Sequence, residues 1–124
     1  MNAVDSSAWV EYFSDVANAA AFAPVIESPE ELVVPSLTLY EVFKKTAHVA
    51  GETSALDAIA VMLQGRVVDL TATLAIDAAR VSRDSGLAMA DAIILATARM
   101  EGAVLWTQDA HFEGLGDVEY RASR

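Results

Sequence analysis

The sequence predicts an α/β domain built on a short, mostly parallel sheet with helices on both faces. Brief apolar segments recur along the chain, at Ala3-Val4, Leu32-Val33-Val34, Val67-Val68 and Ala103-Val104-Leu105-Trp106. Stretches of helical periodicity separate them, ended by Gly51, Gly65, Gly86 and Gly102. Short, uniformly apolar strands joined by helices are those of a parallel sheet, because parallel neighbours need a crossover and are buried on both sides. The length of 124 residues, with no repeat, linker or low-complexity segment, is that of one domain with a proper core.

In chain order, residues 2–4 form a very short strand ending at Asp5. Residues 6–13 form a helix with Ala8, Trp9, Tyr12 and Phe13 on one face, and alanine-rich residues 15–26 form a second, ended near Ser28-Pro29. Residues 32–34 are strand two, closed by Pro35. Helices follow over residues 38–49 and 53–63, the latter with Leu56, Ile59, Ala60 and Leu63 at helical spacing. Residues 67–70 are strand three. Residues 73–85 and 89–101 are helices, 103–106 strand four, 110–115 a turn or short helix, and 118–120 a last strand.

The bulk composition excludes several classes. With 54% hydrophobic and 21% charged residues the chain is globular, and disorder is excluded. No apolar run approaches the roughly 18 residues of a membrane span, and a secretory signal is not expected. Cysteine is absent, which removes disulfides, zinc-thiolate sites and cysteine nucleophiles and suits a cytoplasmic protein. The net charge of -10 argues against broad, non-specific nucleic-acid binding but leaves room for a nucleic-acid enzyme whose acids gather around metal.

Four acids stand out by their company. Asp91 lies between Ala88-Met89-Ala90 and Ala92-Ile93-Ile94-Leu95-Ala96, and Asp109 follows strand four after Thr107-Gln108. Asp5 follows Ala3-Val4, and Glu41 lies in Ser36-Leu37-Thr38-Leu39-Tyr40-Glu41-Val42-Phe43. A lone carboxylate in apolar surroundings costs several kcal/mol unless it is paired, hydrogen-bonded or on a metal. Asp5 and Asp109 fall at strand carboxyl ends, where ligands bind in parallel sheets, and the helices can bring Glu41 and Asp91 to the same edge. Each acid also has a structural explanation. Asp5 and Asp109 are good helix N-caps, Asp91 gains from a helix dipole, and Thr38-x-x-Glu41 spells a capping box with Lys45 one turn on. The joint pattern, not any one residue, favours a metal site.

The remaining polar residues carry less. His48 and His111 fit no metal-ligand spacing and read as surface or packing residues, and Trp9 and Trp106 as core. Lys44-Lys45 and Arg80-x-x-Arg83 read as solvated helix faces, with Lys45 the one basic residue placed for RNA contact, a turn from Glu41. Asp57, Asp69, Asp77 and Asp84 read as solvated or capping acids.

Taken together, Asp5-Ser6-Ser7, Ser36-x-x-x-Tyr40-Glu41-Val42, Met89-Ala90-Asp91-Ala92-Ile93-Ile94 and Leu105-Trp106-Thr107-Gln108-Asp109-Ala110-His111-Phe112 resemble the blocks of PIN-domain ribonucleases. The length resembles that of VapC-type toxins of bacterial toxin–antitoxin pairs. The resemblance spans essentially the whole chain, and the Asp91 block followed by Thr-x-Asp-x-x-Phe is its most specific part. It implies a three-layer α/β/α domain and a Mg²⁺- or Mn²⁺-dependent endoribonuclease. The four acids would be its catalytic and metal-binding set, with Ser7 and Thr107 as supporting hydroxyls. It also implies a homodimer and a small antitoxin partner. Gln108 stands where the family often has a basic or polar residue, which bears on substrate contact there. Four carboxylates balance two Mg²⁺ ions roughly 3.5–4 Å apart, the arrangement for phosphodiester hydrolysis to a 5′-phosphate and a 3′-hydroxyl. Two other readings compete: a receiver-like phosphoacceptor domain, which needs a late Lys although none follows Lys45, and a catalytically inactive PIN-like binding module.

Overall fold

The computed structural model describes residues 1–123. The chain runs β1 (Asn2–Val4), α1 (Ser6–Ser14), α2 (Ala19–Ile26), a 3₁₀ turn (Pro29–Glu31), β2 (Leu32–Pro35), α3 (Ser36–Ala50) and α4 (Glu52–Met62). It continues through β3 (Arg66–Val68), α5 (Ala72–Ser85), α6 (Met89–Met100), β4 (Val104–Thr107), a second 3₁₀ turn (Ala110–Phe112) and β5 (Val118–Tyr120). The strands form one sheet in the order β3-β2-β1-β4-β5, and every described pairing is parallel. A receiver-like domain belongs to the other common doubly wound order, 2-1-3-4-5, so this topology counts against that alternative.

Alternation along each strand builds the layers. Val4, Leu32 and Val34 face one way and pack with Trp9, Phe22, Ile26 and Met62 from α1, α2 and α4. Ala3, Val33 and Leu105 face the other way and pack with Ile94, Leu95 and Phe112. Helix α5 adds an outer layer through Leu74 and Ala78 against Ala96 of α6. Burying each large side chain such as Phe22 or Leu95 contributes about 1.5–3 kcal/mol. At Gly65 a Cβ would lie 2.9 Å from Val34 Cγ2 and 3.1 Å from the Leu32 carbonyl, so this turn sits against β2 too closely for any side chain.

Some predicted boundaries move, each for a local reason. The second helix starts at Ala19, not at residue 15, because Asp15 turns left-handed (φ 51°) and its N–H closes α1 on the Tyr12 carbonyl. Helix α3 starts at Ser36, directly after Pro35, so Thr38 lies inside the helix and its hydroxyl donates back to the Pro35 carbonyl at 2.7 Å. The capping box expected at Thr38-x-x-Glu41 therefore does not form, and Glu41 is left free for other work. Strand three is Arg66–Val68 and stops before Asp69, and strand four extends through Thr107. Trp9 is core as expected, whereas Trp106 is half-buried, with its indole N–H donating to Asn2 Oδ1 and Arg121 over its ring.

Candidate metal centre

Because all strands point the same way, their carboxyl ends share one edge. The connections turn in opposite directions on either side of β1, so the switch point lies between β1 and β4, where α/β sheets bind ligands. Asp5 is the first residue beyond β1, and its N–H donates to the Trp106 carbonyl of β4 at 2.9 Å. Its backbone carbonyl starts α1 by accepting the Ala8 and Trp9 N–H groups, so its backbone caps the helix. Its side chain makes no cap bond and is free for the pocket.

That side chain is only 3% exposed and is held from two sides. Asp5 Oδ2 accepts the Ser7 hydroxyl at 2.7 Å and the Thr107 hydroxyl at 3.0 Å. Thr107 Oγ1 also accepts the Asp109 N–H at 2.9 Å, so one hydroxyl ties Asp5 to the loop carrying Asp109. Burial pushes the Asp5 carboxyl above its ordinary range, the Ser7 and Thr107 hydroxyls pull it back, and the charge on Asp109 adds to the rise.

The other acids approach from helices and a loop. Asp91 is in the first turn of α6, partly buried. Its carboxyl is raised to about 6, first by burial and then by the charges of Asp5, Asp109 and Glu41, with His111 pulling the other way. No hydrogen bond among the described residues offsets this. Glu41 accepts the Ser6 hydroxyl on Oε1 at 2.7 Å. Asp109 caps the second 3₁₀ turn by accepting the His111 N–H on Oδ1 at 2.9 Å. Asp5, Asp109 and Glu41 thus lie near enough to Asp91 for their charges to act on it, with Ser7 and Thr107 hydrogen-bonded to Asp5, while the group whose ligand atoms lie within 4.8 Å of one another is Asp91, Asp109 and His111. Lys45 is exposed and makes no ion pair with Glu41 among the described residues. It does line a depression of about 360 Å³ with Ser6, Ser7, Glu11, Glu41 and Gln108. Arg80 and Arg83 stay on the surface, paired with Asp77 and Asp84.

Three features escape a reading of the sequence. Ser6 orients Glu41 from 35 residues away. His111, expected to lie outside any ligand set, instead has Nδ1 3.1 Å from Asp109 Oδ1 and shares a cluster with Asp91 and Asp109. An i, i+2 pair in a 3₁₀ turn matches none of the usual helical or strand ligand spacings, so only the fold reveals it. Finally, buried Asn18 donates from Nδ2 to Gln108 Oε1 at 3.2 Å and to the Ala122 carbonyl at 2.7 Å. Gln108 Nε2 in turn donates to Glu11 Oε1 at 3.2 Å. The Gln108 side chain is therefore committed to the protein.

The donor set suits a divalent cation. Hard Mg²⁺ and Mn²⁺ take carboxylate oxygens and keep waters. An Asp91 carboxylate pressed by three like charges and without a hydrogen-bond donor among the described residues is a group that such a cation relieves.

A family model described as the PIN domain matches residues 3–118. No curated protein matches the chain. Among solved structures, one in a toxin–antitoxin complex from Klebsiella pneumoniae is similar with a TM-score of 0.80 and 20% identity, covering 96% of each chain. VapC20 of Mycobacterium tuberculosis, described as a sarcin–ricin loop cleaving toxin, is similar with a TM-score of 0.76 and 22% identity, covering 94% of this chain and 95% of that one. A chain of DNA-bound VapBC from Salmonella typhimurium gives a TM-score of 0.74 at 14% identity, covering 98% of each. At these identities the likeness is one of fold.

Proposed function

The chain belongs to the PIN-domain family, and from that premise we propose that it is a metal-dependent endoribonuclease acting as the toxin of a toxin–antitoxin pair. One observation supports the reading most: the Asp91 carboxyl is raised to about 6 by burial and, beyond that, by the charges of Asp5, Asp109 and Glu41 around it. Asp5, Glu41, Asp91 and Asp109 would hold Mg²⁺ or Mn²⁺. When bound, such ions would supply an activated water and offset charge on the leaving oxygen, and the expected products carry a 5′-phosphate and a 3′-hydroxyl.

The chain's own residues do the positioning. The Ser7 and Thr107 hydroxyls fix Asp5, and Thr107 sets the Asp109 loop through the Asp109 N–H. Ser6 aims Glu41 from the start of α1. Lys45, exposed on the rim beside Glu41, supplies a cation for the RNA backbone, where contacts position rather than specify. Neither His48 nor any nucleophilic side chain is required.

The partner reading rests on the similar chains from toxin–antitoxin and VapBC structures and on the charge of this one. A small antitoxin that places a basic side chain, Arg above all, near the four acids would slow its own dissociation by a desolvated charge pair. A homodimer and cytoplasmic action belong to the same reading.

The test is cleavage of RNA by the purified chain in Mg²⁺ or Mn²⁺ and in EDTA, with end mapping, alone and with the protein encoded by the neighbouring open reading frame. Cleavage should require metal, leave 5′-phosphate ends and stop when the partner is added. Undiminished cleavage in EDTA, or 2′,3′-cyclic phosphate ends, would overturn the mechanism. Failure of the neighbour to bind and inhibit would overturn the toxin–antitoxin assignment.

A further inference from the structure

We propose that His111 is a nitrogen ligand of this metal centre and biases it toward Mn²⁺ and later transition ions over Mg²⁺. The inference rests on the metal-centre reading above and deepens it.

Asp91, Asp109 and His111 each offer one ligand atom, and these atoms all lie within 4.8 Å of one another. Ligands about 2.1 Å from one octahedral ion are separated by about 3 Å when adjacent and about 4.2 Å when opposite. The 3.1 Å between His111 Nδ1 and Asp109 Oδ1 is the adjacent spacing, and less than 1 Å of side-chain motion brings the whole set within reach of one ion. The chain arranges this locally. Asp109 caps the 3₁₀ turn through the His111 N–H, so one carboxylate fixes the backbone from which the imidazole projects. Phe112 anchors the turn in the core, while the His111 side chain is 79% exposed. Nothing in the packing accounts for an imidazole here, and no packing is lost when it swings onto an ion.

The chemistry supplies the bias. Mg²⁺ prefers oxygen and binds imidazole poorly, whereas affinity for nitrogen rises through Mn²⁺ toward Co²⁺ and Zn²⁺. A site of carboxylates alone discriminates little between Mg²⁺ and Mn²⁺. One imidazole among them changes that ratio.

The alternative role for His111 is to donate from Nδ1 to Asp109 and merely orient it. Two substitutions separate the roles: His111→Ala removes both, and His111→Asn keeps a donor but is a poor ligand. Both lie on the surface and leave the core intact. The measurements are Mg²⁺ and Mn²⁺ affinities by calorimetry at neutral pH, with pulsed electron-spin spectroscopy of the Mn²⁺-loaded protein to detect nitrogen coupling. Ligation predicts nitrogen coupling in the wild type, lost in both variants. It also predicts about tenfold weaker Mn²⁺ binding in both, with Mg²⁺ changed by less than about twofold. An orienting role predicts no nitrogen coupling, retained Mn²⁺ affinity in His111→Asn, or equal loss for the two metals, and any of these overturns the proposal. If wild type binds neither ion, or Asp91→Asn binds both as tightly as wild type, the metal centre itself falls. If binding needs Asp91 but not His111, only this inference falls.

Discussion

Buried Asp5 accepts two hydroxyl hydrogen bonds, whereas nearer the surface Asp91 accepts none among the described residues. Both carboxyls are pushed up chiefly by burial. At Asp5 the protein answers with fixed dipoles, and the carboxylate becomes a hub joining β1, α1 and the loop after β4. At Asp91 only the nearby His111 answers, with no hydrogen bond among the described residues, and most of the cost stands until a cation arrives. Both acids are thus raised, but at Asp5 two hydroxyl bonds offset part of the rise and tie the fold together, and a single substitution at each position tells them apart.

The largest contrast is expected between Asp5→Ala and Asp91→Asn. Both should lower RNA cleavage by more than about 100-fold, beyond what residues that only orient a ligand contribute. Their stabilities in EDTA should part. Asp5→Ala strands the Ser7 and Thr107 hydroxyls and should lose about 1–3 kcal/mol. Asp91→Asn relieves like-charge crowding and should be as stable as wild type or more so. Mg²⁺ should then stabilise wild type, by about 2.7 kcal/mol at a hundred times Kd, and the Asp91→Asn variant clearly less. Thermal melts with EDTA and with Mg²⁺ decide it. If Asp91 serves only the dipole of α6, the substitution costs a few tenths of a kcal/mol and leaves the Mg²⁺ response intact.

A smaller effect probes the Thr107 tie alone. Thr107→Val keeps the shape but removes the donor to Asp5 and the acceptor for the Asp109 N–H. We expect about 1–3 kcal/mol lost in denaturant titration and cleavage reduced about 10- to 100-fold, through a displaced Asp109 loop. Unchanged cleavage at reduced stability would make the Thr107 tie purely structural and weaken the contrast between the two acids.

The same contrast governs what the sequence reveals. The burial of Asp5 and the partial burial of Asp91 were legible because an acid between apolar neighbours contradicts its local surroundings. The strands were legible because a parallel sheet needs short apolar runs. Ser6, Asn18 and His111 were not, because nothing local to them is anomalous. Ser6 begins a helix as serines do, and its bond to Glu41 spans 35 residues. Asn18 falls inside the predicted helix 15–26 like any polar helix residue, and only the fold places Gln108 and Ala122 against it. The Thr38 capping box was legible but false, since Pro35 already supplies the turn into α3 and the helix begins earlier than the motif requires.

The smallest expected effect is a pH dependence, and its sign separates the two acids from ordinary surface carboxylates. The Asp91 carboxyl stands at about 6 when folded, against 3.8 for the unfolded chain. Between these values the folded state binds more protons than the unfolded one, so stability falls as pH rises through this window. The metal-free protein should therefore gain stability as pH drops from about 7 to about 5, opposite to a protein held by paired carboxylates. Water reaches Asp91 and screens the effect, so the gain should be about 1 kcal/mol rather than the full shift. Asp5 is raised too and works in the same direction, so the wild-type slope alone does not isolate Asp91. The difference between wild type and Asp91→Asn does: the variant should flatten the profile, leaving only the part carried by Asp5. Saturating Mg²⁺ should reverse the wild-type slope, because protons and the cation compete for the same oxygens. Melting temperatures in EDTA and in Mg²⁺ from pH 7.5 to 5 measure all three curves. An equal slope in wild type and Asp91→Asn would mean that Asp91 is solvated like any surface acid and that the pocket stores no strain for a cation to release.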